Sequence, residues 1–297
     1  MAEPLRRRLR AGVLAALSRT AGGAGDSVVR GILAAASEVA RWSKYERIAR
    51  DNLALALPEL DSCERRRVLR GVSKHTRRIV HEWLVLAGPR GADLVRRVRL
   101  DASFERLEEL RRGGRGTILC TAHLGNWELL AARLRLAGLD GAVVGYRKRN
   151  DSTADWLVRM RELHGVTTLA QDASPRAALR ILASGGTLGL LCDLEVRRLA
   201  GEHVPFFGRE ALTMSAPAAL ARASGLPLVP VRCVLRGDEY VLDVEPPLEL
   251  GSGDRRAAQL DLLTRLNATY ERWIRETPEQ WVWYRPRWSA TASRRGP

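Results

Sequence analysis

Residues 117–130 read TILCTAHLGNWELL, and this stretch decides the fold of the chain. It begins with a short apolar, β-prone run, turns at residues 123–126 and continues into a helix-prone run. A strand that ends at a histidine just before a helix presents that side chain at its carboxyl end, where ligands bind in open α/β sheets. The stretch therefore predicts a strand–turn–helix unit with His123 at the functional edge of a sheet.

Glu128 follows His123 after four intervening residues. If Asn126 caps the helix, Glu128 lies in the first turn, where the helix dipole favours a carboxylate. From there it can reach back toward the imidazole, and a histidine oriented by a carboxylate is suited to act as a general base. A purely structural role is the alternative, because a glutamate is common in the first turn of a helix for capping reasons alone.

Beyond this stretch, the chain alternates strands with helices from about residue 94, which predicts an α/β fold with a mostly parallel central sheet flanked by helices. Residues 1–90 read as a helical N-terminal region, and residues 91–297 as the α/β domain; we expect the two to pack as one unit. A loop is expected before a helix at 212–224. Strands are expected at residues 117–121, 141–146, 166–169, 187–192, 227–235 and 240–245.

The chain is strongly basic, with 49 Lys and Arg residues against 34 Asp and Glu residues and a net charge of +15. This balance favours anionic partners: nucleic acid, an anionic membrane surface, phosphorylated substrates or an acidic carrier protein. No uninterrupted apolar run reaches the roughly 20 residues that span a bilayer. The basic, partly apolar N-terminus is therefore expected to lie on a membrane surface, with an ordinary terminal helix as the alternative.

Several common kinds of site are disfavoured. The four cysteines are widely spaced, and the five histidines show no metal-ligand spacing, so we expect no disulfide framework, no metal and no cofactor. The sequence also lacks a Walker-type phosphate loop, a dinucleotide-binding glycine motif, a nucleophile elbow and a zinc-hydrolase H-E-x-x-H. Nucleotide enzymes, serine hydrolases and zinc hydrolases are accordingly disfavoured.

Four polar segments remain, each at or just beyond a predicted strand end or near the C-terminus. Because the carboxyl ends of parallel strands lie at one edge of a sheet, the first three are expected to converge on one cleft. Each also has a structural alternative: a solvated turn for the basic run, a helix cap for Asp193 and a core plug for Phe206 and Phe207. The segments are HLGNWE at 123–128, GYRKRN at 145–150, CDLE at 192–195 continuing to VPFFG at 204–208, and PEQWVWYRPRW at 278–288.

HLGNWE resembles the His-x4-Asp/Glu motif of the glycerolipid acyltransferase superfamily, and its Gly-Asn-Trp-Glu form is most similar to the lipid A late acyltransferase branch. The resemblance extends from residue 52 to residue 288. It matches in order N-L-x4-P-E, H-x-G-N-W-E, Y-R, a strand-end Asp followed by V-P-F-F-G and Thr213, and P-E-Q-x-x-W with a final R-W. Two features depart from it: the family's membrane-spanning helix is weak or missing here, and Lys148 and Arg149 are unusually basic.

The resemblance implies acyl transfer from a thioester, with acyl carrier protein preferred over acyl-CoA as donor. The acceptor it implies is a hydroxyl of a phosphorylated glycolipid such as a lipid A precursor, at the cytoplasmic face of the inner membrane. Lysophospholipid and phosphatidylinositol mannoside are the alternative acceptors, and the anionic membrane surface is a further partner.

The resemblance also implies roles for individual residues. His123 takes the proton from the acceptor hydroxyl, Glu128 fixes the tautomer of the imidazole, and Arg147 stabilises the oxyanion. Substrate contacts are expected from Asn126, Tyr146, Arg149, Asp193, Phe206 and Phe207.

A non-enzymatic alternative is a basic protein that binds nucleic acid, since the chain carries eight tryptophans on which bases could stack. The basic residues are dispersed, however, and several tryptophans cluster in a C-terminal segment that the acyltransferase resemblance already explains. We therefore expect an enzyme and no nucleic-acid partner.

Overall fold

The computed structural model describes residues 2–40, 44–145, 151–195 and 200–288. The helical N-terminal region is confirmed: it consists of α1 (Ala2–Thr20), α2 (Asp26–Ala40), α3 (Lys44–Ala56) and α4 (Ser62–Leu86). α4 begins with a capping box, in which the side chains of Asp61 and Glu64 each accept a hydrogen bond from the other residue's backbone N–H. This reciprocal pair satisfies two backbone donors that no helical carbonyl reaches, and it fixes where the helix starts.

Strands and helices then alternate along the rest of the chain. The elements are α5 (Gly91–Arg96), β1 (Arg99–Leu100), α6 (Glu105–Arg112), β2 (Thr117–Thr121), α7 (Trp127–Leu136), β3 (Gly141–Gly145), α8 (Ser152–Leu163), β4 (Thr167–Ala170), α9 (Pro175–Ala183), β5 (Thr187–Leu191), β6 (Gly201–Phe206), β7 (Arg209–Met214), α10 (Ala216–Ser224), β8 (Leu228–Arg236), β9 (Glu239–Val244) and α11 (Arg255–Glu276).

The central sheet has seven strands in the order β1-β9-β8-β2-β5-β3-β4. Its neighbouring strands are parallel except for β8 and β9, which are antiparallel, so the predicted mostly parallel sheet is confirmed. β2 lies between β5 and β8, and all five of its residues are buried. This is why the run reads as continuously apolar rather than alternating: helices cover both faces of the sheet.

Two apolar layers sandwich the sheet. Ile118 and Cys120 of β2 face the layer that contains α9, α10 and α11. Leu119 faces the other layer, where it packs with Leu129 and Leu134 of α7. Alternate residues of one strand thus serve opposite layers, as the period of a β-strand requires.

Residues 201–214 differ from the sequence prediction. Instead of a loop leading into a helix at residue 212, β6 and β7 form an antiparallel hairpin, and α10 begins at Ala216. Phe207 and Gly208 form the two-residue turn with φ of 52° and 66°. Positive φ at both positions is typical of the turn that matches the twist of a hairpin. Phe207 is held in this unusual conformation by its backbone N–H, which donates to Oε1 of Glu271 at 2.7 Å.

The helices at the N-terminus leave apolar side chains in solvent. Leu9 and Val13 of α1 are 60% and 57% exposed, and Val28 and Ile32 of α2 are 62% and 48% exposed. Among the described residues, no helix combines the length and the apolar content that crossing a bilayer needs.

Candidate active site

His123 and Asp193 meet at the carboxyl edge of the sheet. β2 and β5 are neighbours, with Thr121 opposite Leu191, and each functional side chain lies two residues beyond its strand. Nδ1 of His123 is 2.8 Å from Oδ1 of Asp193, and the backbone N–H of His123 donates to Oδ2 at 2.9 Å. The expected convergence of strand-end segments is therefore found for these two. The pairing places the imidazole proton on Nδ1 and leaves Nε2 as the basic nitrogen.

Asp193 is fully buried, and it remains ionised because its surroundings stabilise the charge. Burial alone would raise the pKa of this carboxyl group. The charge and the hydrogen bonds of His123, together with the indole N–H of Trp281 at 2.7 Å, outweigh burial and hold the pKa of Asp193 below its usual value. An anion fixed in this way orients an imidazole and stabilises its protonated form without taking the proton itself.

His123 lines a cleft of about 670 Å³, which we call the His123 cleft. Its ring meets the ring of Trp127 edge to face at 5.0 Å, and Trp127 meets Trp83 of α4 in the same way at 5.2 Å. These three rings form one wall, and edge-to-face contacts of this kind favour a fixed ring orientation. The other walls mix apolar side chains with polar groups: Leu157, Leu191, Leu194, Met214, Asp151, Gln171 and Arg285.

Glu128 has a different partner from the one predicted. Its two carboxylate oxygens accept hydrogen bonds from Nε and Nη2 of Arg161 on α8, at 2.8 and 2.6 Å. The carboxylate that contacts the imidazole of His123 is that of Asp193 and not, as predicted, that of Glu128. The first turn of α7 faces α8, so Glu128 binds the neighbouring helix and lines the cleft as half of a buried ion pair.

Arg161→Met is expected to lower the free energy of unfolding by about 3–5 kcal/mol, because it leaves the carboxylate of Glu128 buried without its partner. Urea denaturation followed by circular dichroism measures this loss. Arg265→Met is the matched control: Arg265 pairs with Asp261 on an exposed helix face, so its loss should cost less than about 1 kcal/mol. Equal small losses in the two variants would contradict the importance of the buried pair.

Asn126 caps α7, as predicted, but it does not face the cleft. Its Oδ1 accepts from the backbone N–H of Leu129 at 3.1 Å and from Nε1 of Trp83 at 3.2 Å. Its Nδ2 donates to Oε2 of Glu82 on α4 at 2.9 Å, and the residue is fully buried. Asn126 thus has its partners within the protein, and its predicted contact with substrate stays a prediction. Asn126 positions Trp83 and the start of α7. It does so because α4 packs over the turn, where Glu82 and Trp83 form hydrogen bonds with the side chain of Asn126.

Backbone hydrogen bonds hold the turn that follows His123 against β8 and the C-terminal segment. Gly125 has φ of 62°, and a Cβ atom there would overlap the carbonyl oxygen of Cys233 on β8, so the position requires glycine. The N–H of Gly125 donates to the carbonyl oxygen of Gln280 at 3.1 Å, and that of Asn126 donates to Cys233 at 2.9 Å. The segment PEQWVW thus supports the site through Gln280 and Trp281, whose individual roles the sequence did not reveal.

His75 of α4 donates from Nε2 to the carbonyl oxygen of Gly125 at 3.3 Å, because a carbonyl group can only accept. Sequence reasoning gave this buried histidine no role. Burial lowers the pKa of His75 from 6.5 to about 4, so it is neutral at physiological pH. A neutral His75 completes the support of the turn from the side of α4.

This depressed pKa predicts a pH-dependent stability. The unfolded chain binds a proton at this histidine near pH 6.5, whereas the folded protein does so only near pH 4. Acidification across that window therefore favours unfolding, and His75 should cost up to about 3 kcal/mol of stability by pH 4. Urea denaturation at a series of pH values should show a shallower loss for His75→Gln than for the parent protein. Parallel curves would contradict the assignment.

Phe206 and Phe207 do not line the His123 cleft, and their predicted contacts with substrate stay predictions. Phe206 is fully buried, 5.8 Å from the Trp288 ring and 6.1 Å from the Trp281 ring. Phe207 sits in the hairpin turn and lines a separate cleft beside Pro58 and α11. The hairpin turns Phe206 into the core, where it packs behind the tryptophan that binds Asp193.

Three further predicted residues, Tyr146, Arg147 and Arg149, lie outside the described residues. Among the described residues that line the cleft, Arg285 supplies a second guanidinium beside Arg161. No group of three or more metal-binding side chains is arranged to hold a metal within the described part of the chain.

The model of the bacterial lipid A biosynthesis acyltransferase family matches residues 11–290. The chain is 30% identical to the phosphatidylinositol mannoside acyltransferase of Mycolicibacterium smegmatis over 184 residues, which are 61% of this chain and 59% of that protein. It is 26% identical to the enzyme of the same name from Mycobacterium tuberculosis H37Rv over 199 residues, 66% of this chain and 61% of that protein.

The match to these curated relatives thus spans about three fifths of their own length. The family match is far longer and contains every described element of the site, from α4 through the strand-end residues His123 and Asp193 to Trp281. The chain therefore belongs to the bacterial lipid A biosynthesis acyltransferase family.

Proposed function

We propose that the enzyme transfers an acyl chain from a thioester to a hydroxyl of a phosphorylated glycolipid, with His123 as the general base. The observation that carries this proposal is the pair of hydrogen bonds by which buried Asp193 holds His123 at the edge of the cleft. That geometry leaves Nε2 as the basic nitrogen of a side chain that is 25% exposed. A histidine in this state suits a reaction that must remove a proton from a hydroxyl group.

The reaction then proceeds in two steps. The acceptor hydroxyl gives its proton to Nε2 of His123 while its oxygen attacks the thioester carbonyl carbon. Asp193 stabilises the resulting imidazolium. The tetrahedral intermediate collapses, the carbon–sulfur bond breaks, and the thiolate recovers the proton from Nε2. No covalent acyl-enzyme is needed, because the acceptor attacks the donor directly.

The oxyanion of the intermediate needs positive charge or hydrogen-bond donors near the carbonyl. Arg147 remains our proposal for this role, with Tyr146 and Arg149 as substrate contacts. Arg285 is a further guanidinium on the cleft wall. Arg161 is not proposed, because its Nε and Nη2 already donate to the two carboxylate oxygens of Glu128.

For the donor, we propose acyl carrier protein, with acyl-CoA as the alternative; both are anionic and suit a chain of net charge +15. For the acceptor there are two candidates. A lipid A precursor is favoured by the family match, and a phosphatidylinositol mannoside by the similarity to the two mycobacterial enzymes of that name.

We also propose that α1 and α2 hold the enzyme on the anionic cytoplasmic face of the inner membrane. Leu9, Val13, Val28 and Ile32 are exposed, and the exposed side chains of three arginines accompany them on α1: Arg6, Arg8 and Arg10. Apolar side chains beside cations are typical of helices that lie in the plane of an anionic membrane surface.

An acyl-transfer assay with purified protein tests the proposal. Labelled acyl carrier protein and acyl-CoA serve as donors, and a phosphorylated disaccharide lipid, a phosphatidylinositol mannoside and a lysophospholipid as acceptors, with products identified by mass spectrometry. A gain of one acyl chain on either phosphorylated glycolipid supports the proposal and selects the acceptor. Transfer to the lysophospholipid alone would refute the glycolipid assignment.

A further inference from the structure

A narrow passage leads from the His123 cleft into the core, between α7 and the sheet. It consists of two successive cavities of about 40 Å³ each, which we call the inner passage. The first cavity shares Trp127, Glu128 and Arg161 with the His123 cleft. The second shares five residues with the first: Leu119, Ala131, Leu134, Val143 and Gly189. The first cavity therefore adjoins the His123 cleft, and the second cavity adjoins the first.

The register of the sheet explains why there is space here. Leu119 of β2, Gly189 of β5 and Val143 of β3 lie side by side in one row across three adjacent strands. Leu119 belongs to the apolar layer that contains α7. Gly189 thus interrupts a row of larger side chains that faces α7, and its missing side chain leaves a gap in the floor of the passage.

Two other glycines near this face do not leave such a gap. A Cβ atom at Gly145 would lie 2.9 Å from Nη1 of Arg161, so the arginine already uses that space. At Gly141 a Cβ atom would overlap the backbone of Thr187. At Gly189 the nearest atom would be Cγ1 of Val143 at 3.3 Å, and the next atoms lie at 3.9 Å. A methyl group therefore fits at this position with a small shift of Val143.

We propose that Gly189 determines the length of the acyl chain that the enzyme transfers, by keeping the inner passage open to the chain's end. This inference rests on the proposed function, since it takes His123 as the site where the thioester reacts. The ligand class is a fatty acyl chain, because the passage beyond the ion pair is lined by the apolar side chains of Leu119, Ala131, Leu134 and Val143. The ion pair at its mouth leaves no charge unpaired, since both oxygens of Glu128 bind Arg161.

The passage is narrow, so the one carbon atom that alanine adds at position 189, or the three that valine adds, removes a large fraction of its free volume. A hydrophobic pocket discriminates between chains that differ by a methylene group when the extra group has no room. Gly189→Ala should therefore shift the preferred donor to a shorter chain, and Gly189→Val should shift it further. Val143→Ala, in the same row, should have the opposite effect and admit a longer chain.

The test uses the purified full chain and an equimolar mixture of saturated acyl donors of increasing even chain length, with product lengths read by mass spectrometry. We expect the ratio of the parent's preferred length to the next shorter one to fall about tenfold or more in Gly189→Val. The double variant Gly189→Ala/Val143→Ala should return toward the parental profile. Ala178→Val is the matched control: it adds two carbon atoms, a number between those added by Gly189→Ala and Gly189→Val, to a buried alanine of α9 on the opposite side of the sheet, and it should leave the profile unchanged.

Folding of each variant is checked by its thermal melt. If Gly189→Val does not fold, Gly189→Ala and Val143→Ala decide the question, since the first needs only a slight adjustment and the second removes atoms. An unchanged length profile in folded variants, or an equal loss of transfer for every donor length, would overturn the inference. Transfer that survives in His123→Ala would instead refute the proposed site, whereas His123-dependent transfer without a length shift refutes this inference alone.

Discussion

His123→Ala is expected to lower kcat for acyl transfer by about 10³-fold or more and to leave the fold intact. The imidazole supplies the base that takes the hydroxyl proton and the acid that returns it to the thiolate, and such proton transfers contribute roughly 10²–10⁴-fold each. Its removal should be structurally mild, because the side chain is 25% exposed and Asp193 retains the backbone N–H of residue 123 and the indole N–H of Trp281.

Steady-state kinetics at saturating donor, together with a thermal melt, measures both parts of this expectation. His203→Ala is the matched control, since His203 lies on β6 and lines the separate cleft beside Phe207. The control should keep the parental rate. Near-normal turnover in His123→Ala would remove this histidine from the mechanism.

Asp193→Asn is expected to lower kcat by about 10²–10⁴-fold, because an amide neither fixes the tautomer of His123 nor stabilises the imidazolium as the carboxylate does. An asparagine side chain can donate to Nδ1, which would place the imidazole proton on Nε2 and leave no base facing the acceptor. It also carries no charge to stabilise the imidazolium. Binding of the acceptor should change far less than kcat, since Asp193 is fully buried.

The same substitution should also change how the free energy of unfolding depends on pH. The pKa of Asp193 is held below its usual value in the folded protein. Its ionised form therefore stabilises the fold at pH values above the pKa of an unfolded aspartate, about 3.9, and this contribution disappears as the pH falls through the lower folded-state value. Asp193→Asn should flatten the loss of stability in acid.

For the kinetic prediction, a kcat of Asp193→Asn within a fewfold of the parent would show that Asp193 does not orient the base.

The fold was largely predictable because its signals are local. The apolar run of β2, the turn at Gly125 and the helix cap at Asn126 lie within ten residues of one another, and their order specifies a strand–turn–helix unit. The location of the site followed from the same reasoning, since parallel strands bring His123 and Asp193 to one edge. Neither inference required knowledge of which strands are neighbours.

The partners of the side chains were not predictable in the same way. The spacing of His123 and Glu128 gives the helical turn on which Glu128 lies, but not the helix that packs against it. That helix is α8, which supplies Arg161 from 33 residues away. Asp193 was recognised as a strand-end residue, yet its contact with His123 depends on β5 lying directly beside β2. Which carboxylate binds the imidazole depends on which strands and helices are neighbours in the fold, and a local sequence pattern does not contain this information.

The hairpin that contains the VPFFG segment was not predictable for a related reason. Its two adjacent aromatics in a loop bounded by proline and glycine favoured a substrate-contact role, whereas they form the end of a hairpin. The turn has positive φ at Phe207, a conformation that a phenylalanine adopts rarely and that depends here on the distant carboxylate of Glu271. This support comes from α11, which the sequence of the segment does not reveal.

The central claim is that Asp193 and His123 act as one unit, and the most direct test is the kcat of the double variant His123→Ala/Asp193→Asn. Residues that act as a unit show strongly non-additive losses, because the second removal takes away nothing that still functions. We predict that the double variant retains the same residual kcat as His123→Ala alone. A double variant whose loss equals the product of the two single losses would contradict the account, since it would show that Asp193 contributes to catalysis independently of His123.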